Sequence, residues 1–166
     1  MDTEKERPRW RTTLNYRLLN RLQVGVEYNL AASEILPHFS LFLFTETDFR
    51  PALFLGTSSD RIGSPAGEQA YFLTATKRLP YVPLSVYGTV NYSEWDGGLN
   101  FPFGASVELG KGFSVRGMYD GKKPHLMFNY FYKQHGISLM YITFETESLE
   151  NESLEKTFGI ATSTAF

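Results

Sequence analysis

The residues best placed to do chemistry lie in YDGKKPHLMFN, Tyr119 to Asn129. If Gly121–Pro124 is a four-residue loop between two strands, Asp120 and His125 face each other at its base. Met118 then meets Met127, and Arg116 meets Asn129, on the same face. A carboxylate beside an imidazole can orient the ring and favour its charged form, which is the arrangement a general base uses. No serine or threonine nucleophile motif accompanies the pair. The plainer reading is a histidine held by a carboxylate where a loop leaves the sheet. There is no cysteine, which excludes disulfides, iron–sulfur clusters and thiolate metal sites. His38, His125 and His135 do not fall in a metal-spacing pattern, so neither a metal nor another cofactor is expected.

What positions these residues is a succession of strands. About eleven segments alternate with a period of two, approximately 9–19, 22–31, 38–46, 51–58, 69–77, 84–94, 100–109, 113–120, 124–133, 136–145 and 157–166. Leu22, Val24, Val26, Tyr28 and Leu30 share one face, with Gln23, Gly25, Glu27 and Asn29 on the other. FSLFLF, Phe39 to Phe44, is apolar on both faces and gives no orientation. Opposed residues of an antiparallel pair point the same way, so a correct loop brings apolar against apolar. Around Leu19–Arg21, setting Leu18 against Leu22 pairs Tyr16 with Val24, Leu14 with Val26, Arg17 with Gln23 and Thr13 with Glu27. Around Gly110–Gly112, setting Leu109 against Phe113 pairs Val107 with Val115 and Phe103 with Tyr119, with Gly112 free to take positive φ.

The net charge of −2 gives no sign of nucleic-acid binding or of a polybasic membrane-surface segment. No apolar run approaches the roughly 20 residues of a membrane helix, but a membrane-crossing strand needs only about 10, half of them facing lipid. Charged or amide residues recur in mid-strand on the polar faces. Arg11, Arg17, Glu27, Glu108, Arg116 and Asn129 are expected to line a lumen, the charged ones either lining a selective pore or pairing with one another to plug it. Aromatics such as Trp10, Tyr28, Tyr92, Phe101 and Tyr132 gather near strand ends, as in interfacial girdles. Tight turns at 19–21, 47–50, 78–83, 110–112 and 134–135 interleave with connections at 32–37, 59–68, 95–99, 121–123 and 146–156.

The last segment, TFGIATSTAF, resembles the final strand of bacterial outer-membrane barrels. In those proteins alternate apolar residues and a terminal phenylalanine are read by the assembly machinery. Phe158, Ile160 and Phe166 carry the likeness. RPALFLGTSSDRIG, Arg50 to Gly63, and NFPFG, Asn100 to Gly104, are similar to small uncharacterised outer-membrane proteins of Gram-negative bacteria. The resemblance implies an all-β fold: one antiparallel up-and-down transmembrane barrel of about 10–12 strands over residues 9–166. Residues 1–8 would form a disordered or periplasmic tail. MDTEKERPRW lacks the apolar stretch of a signal peptide, so an exported chain would already have lost its signal. Expected partners are outer-membrane lipid, lipopolysaccharide and the barrel-assembly machinery, with the barrel itself a monomer.

Three function classes fit: a structural, binding or minor pore barrel; a barrel hydrolase of lipid or peptide using Asp120 and His125; and a soluble ligand-binding barrel. The loop TSSDRIG, Thr57 to Gly63, either folds towards the lumen or stays solvated with Asp60 pairing Arg61. ETESLENESLE, Glu145 to Glu155, reads as a solvated acidic loop.

Overall fold

The computed structural model describes residues 11–29, 33–60, 67–148 and 151–164; for Arg11, Asn29, Glu34 and residues 143–148 and 151–157 it describes backbone only. The expected tail over residues 1–8, Arg61 and Phe166 lie outside the described residues.

Among the described residues every regular element is a strand. The first six are β1 (Arg11–Leu19), β2 (Leu22–Asn29), β3 (Glu34–Phe44), β4 (Ala52–Ser59), β5 (Gln69–Arg78) and β6 (Leu84–Ser93). The others are β7 (Gly98–Asn100), β8 (Phe103–Gly110), β9 (Phe113–Tyr119), β10 (Pro124–Tyr132), β11 (His135–Ser148) and β12 (Asn151–Thr164). They form one antiparallel sheet in sequence order, except that β7 is a short side-pair of β6 and the path passes from β6 to β8. Of the segment expected at 100–109, Asn100 ends β7 and Phe103–Leu109 belong to β8. Pro102 lacks an N–H and interrupts the ladder between them. Among the described residues no pairing joins β1 to β12, so the sheet described here is not closed.

The chain divides into two compact units, Met1–Thr76 with Gly88–Phe101, and Lys77–Tyr87 with Pro102–Phe166. In the first, Tyr16 opposes Val24, Leu14 opposes Val26 and Thr13 opposes Glu27, as the alternation predicts. In the second, Val107 opposes Val115 and Phe103 opposes Tyr119. Only the hairpin tips differ. Leu19 rather than Leu18 meets Leu22, and Gly110 rather than Leu109 meets Phe113, because each strand carries a bulge next to its turn. Apolar matching governs the strand bodies, whereas the tip follows backbone twist.

The β8–β9 tip shows what that twist demands. Lys111 and Gly112 both have positive φ, 51° and 85°, the signature of a type I′ turn. Gly112 also accepts a 2.8 Å hydrogen bond from the Phe131 N–H, and a Cβ there would strike the Phe131 carbonyl oxygen. Gly110 has the same φ but open space where a Cβ would go. Gly110→Ala is therefore expected to cost about 1 kcal/mol, the left-handed penalty alone. Gly112→Ala should cost clearly more, and comparing the urea midpoints of the two variants checks the difference.

Two-residue turns join β1 to β2 at 20–21, β8 to β9 at 111–112 and β10 to β11 at 133–134. The acidic stretch expected as a loop over Glu145–Glu155 is mostly ladder: Glu145 pairs with Leu154, Thr146 with Ser153 and Glu147 with Glu152. Alternation of apolar residues reports burial of a face, but backbone pairing does not require it.

Burial is inverted relative to a water-soluble fold. Among the described residues the buried hydrophobic ones are only Ala52 and Ala70, while Glu27, Thr57, Asp60, Thr74, Asn91, Ser93, Asn100, Asp120, His125 and Asn129 are all buried. Large apolar side chains lie exposed along the strands, including Leu14, Val26, Leu73, Val107, Phe128 and Leu139.

Candidate functional site

Asp120 and His125 do meet, by a route that differs from the expected one. β9 ends at Tyr119, and Asp120 is a turn residue. Its Oδ1 accepts hydrogen bonds from the backbone N–H groups of Lys122 (2.9 Å) and Lys123 (2.7 Å). Its own N–H donates to the Lys123 carbonyl at 3.0 Å. Gly121, at φ 104°, allows the chain to reverse. Pro124 opens β10 opposite Tyr119, a first-strand position where a missing N–H is tolerated.

The register consequently moves by two residues from the expected one. His125 opposes Met118, Met127 opposes Arg116, and Asn129 opposes Ser114. Aspartate side chains favour hydrogen bonds to the backbone just ahead of them, and that preference takes Asp120 out of the ladder. Its Oδ2 still reaches His125 Nε2 diagonally, at 2.9 Å.

Both partners are buried, Asp120 at 6% exposure and His125 at 4%. Burial alone would raise the Asp120 pKa. The hydrogen bond from His125 and the N–H groups of Lys123 and Lys122 more than offset it, and the pKa falls below the usual carboxylate value. An ionised carboxylate only accepts, so His125 carries a proton on Nε2. The pair has the geometry to orient an imidazole. The His125 side chain is nevertheless 0% exposed, which favours a role in holding the β9–β10 turn.

The expected lumen residues separate into two groups. Glu27 and Asn129 are buried. Asn129 Nδ2 donates to Ser114 Oγ at 3.3 Å, and its Oδ1 accepts from Ser138 Oγ at 2.7 Å, linking β9, β10 and β11. Arg17, Glu108 and Arg116 are exposed. Glu108 does not pair with Arg116: its Oε2 takes Arg78 Nη2 at 3.1 Å, with both side chains more than half exposed. An exposed pair of this kind contributes little to stability. The side chain of Arg11 lies outside the described residues. On β12, Phe158 and Ile160 are 71% and 77% exposed and pair with Tyr141 and Leu139.

Two polar clusters in the first unit escaped the sequence reading. Glu27 Oε2 accepts from Ser59 Oγ at 3.2 Å and lies 3.5 Å from His38 Nε2. The β2–β3 register places His38 opposite Gly25 and Leu36 opposite Glu27, so His38 and Glu27 are diagonal neighbours on one face. Once that register is known, residue parity alone would have flagged them. Asp60 is the second case. Its Oδ2 accepts from Ser93 Oγ at 2.6 Å and from the Trp95 N–H at 3.2 Å, and Ser93 Oγ accepts from the Asp96 N–H at 3.0 Å. The carboxylate thus ties the β4–β5 connection to the turn after β6. No local motif signals a contact between residues 33 apart in sequence. Glu94 reinforces the tie by accepting from the Gln69 N–H and the Tyr71 hydroxyl, each at 3.0 Å.

Among the described residues no three His, Asp or Glu side chains converge as a metal site. Comparisons with protein-family models, curated proteins and solved structures find no match for this chain.

Proposed function

We propose that this chain is an integral outer-membrane protein whose sheet closes into a β-barrel, with a narrow or plugged polar lumen and a structural, binding or minor pore role. The observation that carries the proposal is the inverted burial: polar side chains inside, large apolar ones outside. Exposing Leu14, Val26, Leu73, Val107, Phe128 and Leu139 to water would be costly, whereas lipid accepts them. A strand end left unpaired in hydrocarbon would cost several kcal/mol per group, which is why membrane sheets close. On this reading the partners are outer-membrane lipid, lipopolysaccharide and the assembly machinery, the last engaging Phe158, Ile160 and Phe166.

Refolding into detergent micelles tests the proposal. Unheated and heated samples should run differently on a denaturing gel, and the protein should aggregate in plain buffer. A soluble, monodisperse β protein would overturn it and favour the soluble ligand-binding barrel.

The buried Asp120–His125 pair keeps a second reading, a hydrolase of lipid or peptide at the membrane surface. His125→Ala would then abolish hydrolysis while the heat-dependent band shift persists.

A further inference from the structure

One feature of the first unit runs against the polar character of its inner face. β3, β4 and β5 place Phe42, Phe54 and Phe72 on the face that also carries His38, Ser40 and the buried Thr74. The opposite face of the same strands carries Leu41, Leu55 and Leu73 in a directly opposed row. Phe42 stands opposite Phe54, their rings 5.3 Å apart. Phe72 stands opposite Gly56 and meets Phe54 edge-on at 6.0 Å. Gly56 makes room for this, since a Cβ there would lie 2.9 Å from the Phe72 ring. Ala52 and Ala70, both buried, lie on the same face two residues before Phe54 and Phe72.

Three phenylalanines on adjacent strands form a continuous apolar band where a water-filled channel would carry polar groups. Such a band excludes water from a narrow passage, and an ion cannot cross it without shedding its hydration shell.

We infer that Phe42, Phe54 and Phe72 form a hydrophobic constriction that keeps the lumen closed to small ions. The inference rests on the proposed membrane barrel and adds the identity of its plug. On the same face, Glu27 and His38 would then form a polar vestibule that ends at the phenylalanine band.

Single-channel recording in planar bilayers, on protein whose band shift confirms insertion, tests the inference. Wild-type protein should conduct weakly or not at all. Phe54→Asn should raise conductance by on the order of tenfold by wetting the constriction, and Phe54→Leu should leave it closed. If Phe54→Asn does not insert, Phe42→Asn reads the same barrier from β3. Inserted polar variants that stay at the wild-type conductance would overturn the constriction alone, as would a wild-type protein that conducts freely. Failure of the wild type to insert would overturn the barrel and the constriction together.

Discussion

Val107→Arg should weaken the inserted protein by about 2–4 kcal/mol, provided the position lies near the bilayer midplane. Val107 sits mid-strand in β8, opposite Val115, with its side chain exposed. Val26→Arg should behave alike, since Val26 is exposed and stands between Leu14 and Pro37. The penalty arises because a guanidinium facing hydrocarbon has no water and no partner. Gln23→Arg makes the same chemical change on the opposite face of β2. It adds a charge next to Arg17 on β1, so a loss of no more than about 1 kcal/mol is expected from like-charge repulsion across the pair. Urea unfolding from lipid vesicles measures all three. Equal losses on both faces would contradict the assignment of one face to lipid. In a water-soluble protein, exposed Val107 and Val26 would tolerate arginine readily.

Asp120→Ala should cost about 3–5 kcal/mol, the loss expected when one member of a buried pair is removed. The substitution strands a buried imidazole and also deprives the Lys122 and Lys123 N–H groups of their acceptor. Asp120→Asn should cost less, because an amide oxygen can still accept from the two N–H groups. The Asp120 pKa is lowered on folding, so its stabilisation is complete above the unfolded aspartate value of about 4. It is lost as pH falls through the lower folded value. The stability difference between wild type and Asp120→Asn, followed by urea midpoint in detergent micelles, should therefore hold steady at neutral pH and shrink below about pH 4. A difference that persisted undiminished in acid would mean that the carboxylate charge contributes nothing to the turn.

Much of the fold follows from local rules. Alternation of apolar and polar residues locates the strands, and matching apolar faces sets the body of the β1–β2 and β8–β9 hairpins, as Tyr16 with Val24 and Val107 with Val115 show. Positive φ at Gly112 follows from its place in a tight hairpin tip. The Asp120–His125 contact is also local, five residues apart, and is legible as soon as the intervening residues are read as a turn.

Other features depend on neighbours that are distant in sequence. The orientation of FSLFLF is undecidable from its own residues. Pairing with β4 decides it, sending Phe42 to the polar face with Phe54 and Leu41 to the other with Leu55. Bulges next to the turns, the break at Pro102 and the ladder through Glu145–Ser148 arise from backbone hydrogen bonding, to which side-chain alternation is blind. The Asp60–Ser93 and Glu27–Ser59 contacts, 33 and 32 residues apart, exist only once intervening strands are stacked in order. Sequence by itself determined which residues share a face, because side-chain direction alternates with every peptide unit. Tertiary structure alone decided which polar groups meet across strands, because that depends on register summed over several hairpins, and a slip of two residues in any one preserves every face while changing every partner.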